Sequence, residues 1–167
     1  LRWMDRPTGR VIRRIETSRC GELVHIDVKK LARVPDGGGH KKLGRAATKN
    51  RPGLGYTHIH TAIDAYSRLA YSEFAGVEDS VNCVAFLNRA VAWFAEQGIT
   101  IERILTDNGV GYRSKIWAAR CAELDIAPTF HTPSMGWATH SSPTNYVYNH
   151  IGMFAAGGEA VARSLFL

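Results

Sequence analysis

Two aspartates follow short apolar runs in this sequence, and carboxylates in such positions can hold metal ions. Asp27 ends the run Leu23-Val24-His25-Ile26-Asp27, and Asp107 lies in Ile104-Leu105-Thr106-Asp107-Asn108-Gly109. Each run has the apolar content and β-branched residues of a buried strand. Two carboxylates on adjacent strands repel each other unless a divalent metal ion lies between them. The pair therefore indicates a candidate metal site for phosphoryl transfer.

Each aspartate also has a purely structural interpretation. Asp is disfavoured within a strand, so a structural Asp27 needs a hydrogen-bonding partner to hold it. Asp107-Asn108-Gly109 could form a strand-ending turn in which the Asp side chain accepts backbone hydrogen bonds. The position of Asp107 at the C-terminal end of a strand, where α/β proteins tend to form their sites, favours the functional interpretation.

Two other groups of polar residues are better explained by structure. Asp64 ends a predicted strand, and we expect it to accept hydrogen bonds from the following turn and to pair with Arg68. His58 and His60 point to one face of the same strand, a spacing that can bind a metal ion. Because no cysteine or third histidine lies nearby, histidines packed within the sheet are the favoured interpretation.

Strands and helices that could position these residues are visible in the hydrophobic pattern. Strands are predicted at 22–31, 56–64, 69–74, 101–106 and 126–130, and helices at 79–97 and 114–124. The first helix has the clearest signal, because Asp79 or Ser80 can cap its start and its apolar residues fall on one face. This order predicts an α/β fold with a mixed five-stranded sheet flanked by helices.

The composition is that of one basic globular domain. A chain of 167 residues, 45% hydrophobic and 22% charged, suffices for one domain with a core but not for two. No apolar stretch reaches the roughly 20 residues of a membrane helix, and no secretory signal is visible. Three scattered cysteines argue against a disulfide framework or a zinc knuckle and favour the cytoplasm.

Positive charge is concentrated in two segments. The net charge of +6 favours a polyanionic partner, and a basic protein without such a partner is the alternative. Residues 1–20 are predicted to be an extended basic arm or linker, and a glycine-rich basic loop runs from Pro35 to about Gly55. The basic residues of interest in the two segments are Arg10, Arg13, Arg14, Lys41, Lys42, Arg45, Lys49 and Arg51.

Several motifs occur in an order typical of one protein family. They are Gly21-Glu22-Leu23-Val24-His25-Ile26-Asp27-Val28-Lys29-Lys30-Leu31, Thr57–Asp64, Ser67-Arg68-Leu69-Ala70-Tyr71, Ala85-Phe86-Leu87, and Ile101-Glu102-Arg103-Ile104-Leu105-Thr106-Asp107-Asn108-Gly109 followed by Tyr112-Arg113-Ser114. With these motifs the chain resembles the integrase catalytic core of bacterial insertion-sequence transposases. The resemblance covers roughly residues 1 to 133.

The resemblance implies a ribonuclease-H-like fold and a D-D-E triad that binds two Mg²⁺ or Mn²⁺ ions. One ion would activate water or a DNA 3′-hydroxyl, and the other would stabilise the leaving oxygen at a DNA phosphodiester. Asp27 and Asp107 match the first two acids, as catalytic residues and as metal ligands. DNA is the implied partner, a homo-oligomer on DNA is a further candidate, and no membrane is involved. The basic residues listed above would contact phosphates, which supplies affinity rather than sequence choice.

The third acid of the triad is missing from its expected place. In this family it lies within a helix that begins near an Asn-Gly-Lys-x-Glu stretch, and the corresponding position here is Pro143. No Asp or Glu occurs between Asp125 and Glu159. Proline would also damage the interior of the helix that carries the family's glutamate. Glu159 lies too far along the chain and in the wrong context to replace it.

The resemblance ends after Pro133 and divides the chain into three parts. These are a basic arm or linker at 1–20, an integrase core at 21–133 and a divergent tail at 134–167. Within the tail, 155–167 could be helical, although Gly157 and Gly158 weaken the start of such a helix. A change of reading frame or recombination in the gene is our hypothesis for the tail. The hypothesis fails if no alternative frame of the locus restores the Asn-Gly-Lys-x-Glu stretch.

Two functions follow from these observations. The first is a transposase catalytic domain, a polynucleotidyl transferase that cleaves and transfers DNA strands. The second is an inactive remnant that retains non-specific nucleic-acid binding, because a two-metal site without its third acid loses charge and geometry together. A ribonuclease-H-like nuclease that does not transpose would need more carboxylates than the sequence offers.

Overall fold

The structure, a computed structural model, contains an α/β domain. It describes residues 17–33, 42, 44, 55–75 and 77–130, together with the backbone of 162–164. The elements are β1 (Val24–Ala32), β2 (Tyr56–Asp64), β3 (Ala70–Ala75), α1 (Ser80–Glu96), β4 (Arg103–Thr106), α2 (Lys115–Glu123), β5 (Ala127–Phe130) and β6 (Ala162–Ser164). All five predicted strands and both predicted helices are confirmed, with ends that differ by no more than two residues.

The strands form one mixed sheet in the order β5-β4-β1-β2-β3-β6. β1, β2 and β3 pair as antiparallel neighbours, and β4 lies parallel to both β1 and β5. β6 pairs antiparallel with the edge of β3 and lies in the tail, where the sequence shows no strand pattern. The predicted helix over 155–167 is therefore wrong at Ala162–Ser164, which form a strand. Parallel pairing of β1 with β4 matters most, because these two strands carry the candidate acids.

Both helices contribute to a hydrophobic core on one face of the sheet. Phe86 and Phe94 of α1 and Trp117 of α2 are fully buried there, together with Val24 and Ile26 of β1. Side chains alternate along a strand, so His25 and Asp27 lie on the opposite face. A smaller apolar cluster occupies that face, formed by Ile59, Ile63 and Ala70 with Leu31 packed against it. The candidate acids lie where the pairing of β1 with β4 ends, beside the start of α1.

Each helix begins at a capping side chain, and the cap of α1 is one that the sequence predicts. Asp79 Oδ1 accepts the backbone N–H of Asn82 at 2.8 Å and so caps α1. Ser114 Oγ accepts the N–H of Trp117 at 3.2 Å and caps α2. Such caps satisfy backbone donors that would otherwise lack a partner at a helix start. Both helix starts are thereby fixed beside the C-terminal end of β4.

The three cysteines are free thiols, as the sequence predicts. Cys20 is exposed, whereas Cys83 and Cys121 are buried in α1 and α2. Burial raises the pKa of Cys83 to about 12 and that of Cys121 to about 11. Both buried thiols therefore stay protonated near neutral pH and act as small apolar residues.

Neither helix of the described part has the length and apolar content to cross a lipid bilayer.

Candidate active site

Asp27 and Asp107 occupy equivalent positions on two neighbouring parallel strands. His25 of β1 pairs with Leu105 of β4, and each aspartate lies two residues further along its own chain. Residues two apart on a strand point to the same face, and neighbouring strands lie about 4.8 Å apart. The structure therefore brings the two predicted acids to one edge of the same sheet face.

Strand lengths explain why this edge is open to a ligand. β4 ends at Thr106, so β1 has no β4 neighbour from Asp27 onwards. On its other side Asp27 is opposite Thr61 of β2. Asp27 is half-buried as a result, and Asp107, which follows the last residue of β4, is exposed. A charged group from solvent can reach both carboxylates here, where β4 ends and β1 continues.

Backbone hydrogen bonds fix one oxygen of each carboxylate. Asp27 Oδ1 accepts the N–H of Val28 at 2.9 Å, and Asp107 Oδ1 accepts the N–H of Gly109 at 2.8 Å. The second bond forms the turn that the structural interpretation of Asp107 predicts. Each carboxylate can accept further ligands at its other oxygen, since an ionised carboxylate has about four acceptor positions. The turn and a ligand role are thus compatible, and the turn orients the acid.

The loop after Asp107 packs tightly onto the start of α1. A Cβ atom added to Gly111 would lie 2.8 Å from Cys83 Sγ and 3.3 Å from the backbone of Asp79. No side chain larger than glycine is accommodated at such a distance without movement. The close approach brings the residue that precedes the α1 cap next to the candidate acids.

Glu78, which the sequence analysis does not single out, is that residue. A methyl group added at Gly109 would overlap Glu78 Oε1 and would lie 2.8 Å from Asp107 Oδ1. The pKa of Glu78 is raised, first by burial and then by the negative charges of Asp107 and Asp27. Its neighbour Asp79 is occupied by the α1 cap, whereas neither Glu78 nor Asp107 forms an ion pair with a described residue.

Tyr112 lies beneath the same acids. Its side chain is 1% exposed, and its hydroxyl forms no well-aligned hydrogen bond with a described residue, although it lies close enough to the Cys83 sulfur, a weak acceptor, to interact with it. Burial raises the pKa of Tyr112 well above its usual value, and the charges of the neighbouring groups Cys83, Asp27, Asp107 and Glu78 raise it further. A buried hydroxyl without a well-aligned partner is uncommon in folded proteins and calls for an explanation. Here it lies within the field of all three carboxylates.

Asp64 has the structural role that the sequence predicts. It is fully buried and accepts hydrogen bonds from the Gly21 N–H at 2.9 Å and the Ser67 N–H at 2.7 Å. The Ser67 hydroxyl donates a third bond at 2.6 Å. The predicted ion pair with Arg68 is wrong within the described residues, because Arg68 instead donates its backbone N–H to the Asp64 carbonyl oxygen at 3.0 Å. Asp64 thus holds the β2–β3 turn against the segment before β1.

The histidines of β2 belong to the sheet. His60 is fully buried on the helix face, with its ring centroid 5.3 Å from that of Phe86 in α1. His58 lies two residues away on the same face and is half-buried. Within the described ranges, no group of three Asp, Glu, His or Cys side chains is close enough to hold a metal ion as it stands. These histidines therefore give no sign of a metal site.

Comparison with known protein families identifies the domain. The family described as "Integrase core domain" matches residues 18–135, a segment that contains both candidate aspartates. The chain belongs to this integrase core domain family. No curated protein sequence matches the chain.

Solved integrases share the fold of this integrase core domain. The simian T-cell lymphotropic virus intasome in complex with PP2A regulatory subunit B56 gamma matches with a TM-score of 0.56 at 20% identity, over 78% of this chain and 38% of that chain. The HTLV-2 integrase catalytic core domain in complex with magnesium matches in its dimeric form (TM-score 0.54, 14% identity, 80% of this chain and 70% of that one). Its trimeric form matches with a TM-score of 0.51 at 14% identity, over 79% and 65% of the two chains. The likeness confirms the ribonuclease-H-like α/β fold.

Most of the predicted phosphate-binding residues of this integrase core domain lie outside the described residues. They are Arg10, Arg13, Arg14, Lys41, Arg45, Lys49 and Arg51. Lys42 is described and is exposed, as a phosphate contact requires. Pro143, at the place expected for the third acid, and Glu159 also lie outside the described residues.

The donor set of this integrase core domain suits a hard divalent cation. Asp27 and Asp107 offer carboxylate oxygens only, at one edge of one sheet face. Mg²⁺ prefers oxygen ligands, and proteins usually bind it with one or two carboxylates plus water and substrate phosphates. Two aspartates are therefore enough to begin a magnesium site, even though three ligating side chains do not converge among the described residues.

Proposed function

We propose that this integrase core domain is the catalytic domain of a bacterial insertion-sequence transposase. It cleaves DNA phosphodiester bonds and joins DNA strands with Mg²⁺ or Mn²⁺. The observation that carries the proposal is the equivalent position of Asp27 and Asp107 on adjacent parallel strands, within the segment that matches the family. Two like charges on neighbouring strands repel each other, and a bound divalent cation would relieve that repulsion.

The names of the structural relatives support the metal ion and the partners that we propose for this chain. One integrase catalytic core was solved with magnesium, in dimeric and trimeric forms. Another relative was solved as part of an intasome. DNA as substrate and a homo-oligomer on DNA are accordingly part of the proposal. A net charge of +6 supports a polyanionic partner in the same way.

Each aspartate has a defined role in the proposed reaction. A bound divalent ion would activate the attacking oxygen or stabilise the leaving oxygen of an in-line displacement. Asp27 and Asp107 would hold the ion with the carboxylate oxygens that Val28 N–H and Gly109 N–H do not occupy. Those two N–H bonds limit rotation of the carboxylates, which lowers the cost of ordering them around an ion. Basic residues of the arm and the loop would hold the DNA backbone.

Three domain parts complete the proposal. Residues 1–20 form a basic arm or linker, 21–133 form the catalytic core, and 134–167 form a tail that diverges from the family through a frame change or recombination. Translation of the alternative frames of the locus tests the last point, because one of them should contain an Asn-Gly-Lys-x-Glu stretch.

DNA cleavage assays test the catalytic proposal. The purified chain is incubated with a labelled DNA duplex in Mg²⁺ or Mn²⁺ or EDTA, alongside Asp27→Asn, Asp107→Asn and the control Asp125→Asn. Metal-dependent cleavage or joining by the wild type and by the control, lowered at least about a hundredfold in the two site variants, supports the enzyme. Activity that survives in both site variants contradicts it.

An inactive remnant is the second candidate function. The observation in its favour is the absence of any Asp or Glu between Asp125 and Glu159, where the third acid of the family is expected. Such a remnant binds DNA in a salt-sensitive manner and shows no metal-dependent cleavage. The same assay, with binding measured by fluorescence anisotropy at several salt concentrations, separates the two functions.

A further inference from the structure

The structure places a third carboxylate beside the two aspartates, at a position that differs from the one expected for the family's third acid. We propose that Glu78, at the start of α1, is the third carboxylate of the metal site and joins Asp27 and Asp107 when a divalent ion binds. The inference rests on the proposed function of the aspartate pair. It concerns the chain segment between β3 and α1, whereas the sequence leads one to search after Pro133.

Proximity is the first argument. Glu78 Oε1 and Asp107 Oδ1 both lie close to the point that a methyl group would occupy at Gly109. Glu78 is also near enough to Asp27 for the charge of that aspartate to act on it. Glu78 thus lies beside Asp107, the charge of Asp27 also acts on it, and glycine at position 109 leaves the space between Glu78 and Asp107 open.

The second argument is that the two acids at the start of α1 differ in their hydrogen-bond and ion-pair partners. Asp79, the other acid at the start of α1, uses Oδ1 for the Asn82 N–H and Oδ2 for the Asn82 side-chain amide at 2.9 Å. Glu78 makes neither a cap nor an ion pair with any described residue. A carboxylate close to other carboxylates is repelled by their negative charge. Binding of a divalent ion removes that repulsion and gives the arrangement a physical reason.

The buried hydroxyl of Tyr112 is the third argument and is independent of the acids' own geometry. Its side chain is 1% exposed, and it interacts only weakly with the Cys83 sulfur among the described residues, while the charges of all three carboxylates act on it. A phenol O–H can donate a hydrogen bond to a metal-bound carboxylate or water, as outer-shell groups of metal sites commonly do. A ligand bound at the three acids would therefore offer the Tyr112 hydroxyl a stronger acceptor than the Cys83 sulfur.

A small movement completes the site. The three acids do not yet lie close enough to hold an ion together. Glu78 is exposed and has three side-chain torsions, so its carboxylate can turn toward the aspartates without a change of the backbone. Asp27 and Asp107 are held by their backbone hydrogen bonds, which makes Glu78 the group that adjusts.

Metal binding measured on the full chain tests the inference without relying on activity. Mn²⁺ affinity is determined by calorimetry for the wild type, Glu78→Gln, Asp27→Asn and Asp107→Asn. Glu96→Gln is the matched control, because Glu96 is an exposed glutamate at the opposite end of α1 and its change removes the same charge. We expect Glu78→Gln to weaken binding about tenfold, Glu96→Gln to leave it unchanged, and each aspartate variant to abolish it.

Water-proton relaxation of bound Mn²⁺ distinguishes a ligand from a distant charge. A lost protein ligand is replaced by water, so the Glu78→Gln complex should hold more fast-exchanging water than the wild type. Circular dichroism and thermal unfolding confirm that each variant folds, which is expected because Glu78 and Glu96 are exposed.

Each outcome has a separate meaning. Unchanged affinity or hydration in Glu78→Gln, with binding lost in the aspartate variants, overturns the role of Glu78 and leaves the proposed function intact. Equal weakening in Glu78→Gln and Glu96→Gln also overturns it, because the effect is then one of net charge. Binding that survives in both aspartate variants refutes the proposed metal site itself.

Discussion

Two groups of carboxylates in this domain lie within strands or directly after them, and their surroundings differ sharply. Asp64, at the end of β2, is fully buried and accepts three hydrogen bonds from Gly21 and Ser67. Asp27 and Asp107 each show one backbone hydrogen bond and have Glu78 as an additional negative neighbour. Asp64 is thus held by three donors of the protein, whereas the other acids lie close to one another and can take a ligand from solvent. The contrast separates a structural aspartate from candidate catalytic ones more clearly than residue type or strand position does.

Loss of Asp64 should have the largest effect on stability. Asp64→Ala removes three hydrogen bonds and leaves the buried Gly21 N–H and the Ser67 donors without their acceptor. Stranded buried donors are costly, so we expect the free energy of unfolding to fall by about 3 kcal/mol. Urea denaturation followed by circular dichroism measures the change.

Asp107→Ala is the matched comparison for that experiment. The residue is exposed, and its removal relieves repulsion with Glu78 while it loses one turn hydrogen bond. We expect a change of less than about 1 kcal/mol in EDTA. Equal losses in the two variants would contradict the distinction between the two groups.

Much of the fold can be predicted because local signals agree with one another. Asp79 marks the start of α1 by type and position, and the structure confirms that cap. Alternation in β1 and β2 gives strands within two residues of their observed bounds. β6 could not be predicted, because its three residues carry no alternating pattern and depend on the edge of β3 for pairing.

The candidate site is predictable only in part for a physical reason. Asp27 and Asp107 are found from sequence because each follows an apolar strand, and parallel pairing then brings equivalent positions together. Glu78 precedes a helix cap and carries no motif of its own. Its contact with Asp107 depends on the packing of Gly111 against Cys83 and Asp79, a long-range approach that no local pattern encodes.

Two glycines extend the comparison to the backbone, with a smaller expected effect. Gly21 donates its N–H to Asp64, has a φ of +79°, and a Cβ atom there would overlap the carbonyl oxygen of Thr100. Gly21→Ala should therefore cost more than about 2 kcal/mol in the free energy of unfolding. Gly109 donates to Asp107, and an added methyl group would meet only the flexible ends of acidic side chains within 3 Å.

Gly109→Ala should accordingly leave stability within about 1 kcal/mol of the wild type, because Glu78 can turn away. The displaced carboxylate should weaken Mn²⁺ binding in the same variant. Thermal unfolding and calorimetry on both glycine variants provide the measurements. A destabilisation by Gly109→Ala as large as that by Gly21→Ala would show that the acidic edge is as rigid as the Asp64 turn.

The pH dependence of stability should have opposite signs in the two regions, and it is the smallest of the expected effects. Glu22, beside the Asp64 turn, has a lowered pKa, first because the Ser18 N–H and then because the Ser18 hydroxyl donates to it. A lowered carboxyl pKa contributes stability above the unfolded-state pKa, and this is lost as pH falls through the folded-state value. Glu78 has a raised pKa, so the folded protein loses stability as pH rises from the unfolded-state pKa through the raised one.

Glu22→Gln should therefore lower the unfolding temperature at pH 7, and Glu78→Gln should raise it when EDTA is present. Both differences should shrink as pH falls below the folded-state and unfolded-state pKa values of the two carboxyls, because the groups are then protonated in both states. Thermal scans of the two variants and the wild type across this range give both signs in one experiment. A lower unfolding temperature in Glu78→Gln at pH 7 would mean that Glu78 already has a cationic partner in the protein. In that case the repulsion that distinguishes the acidic edge from the Asp64 turn would not exist.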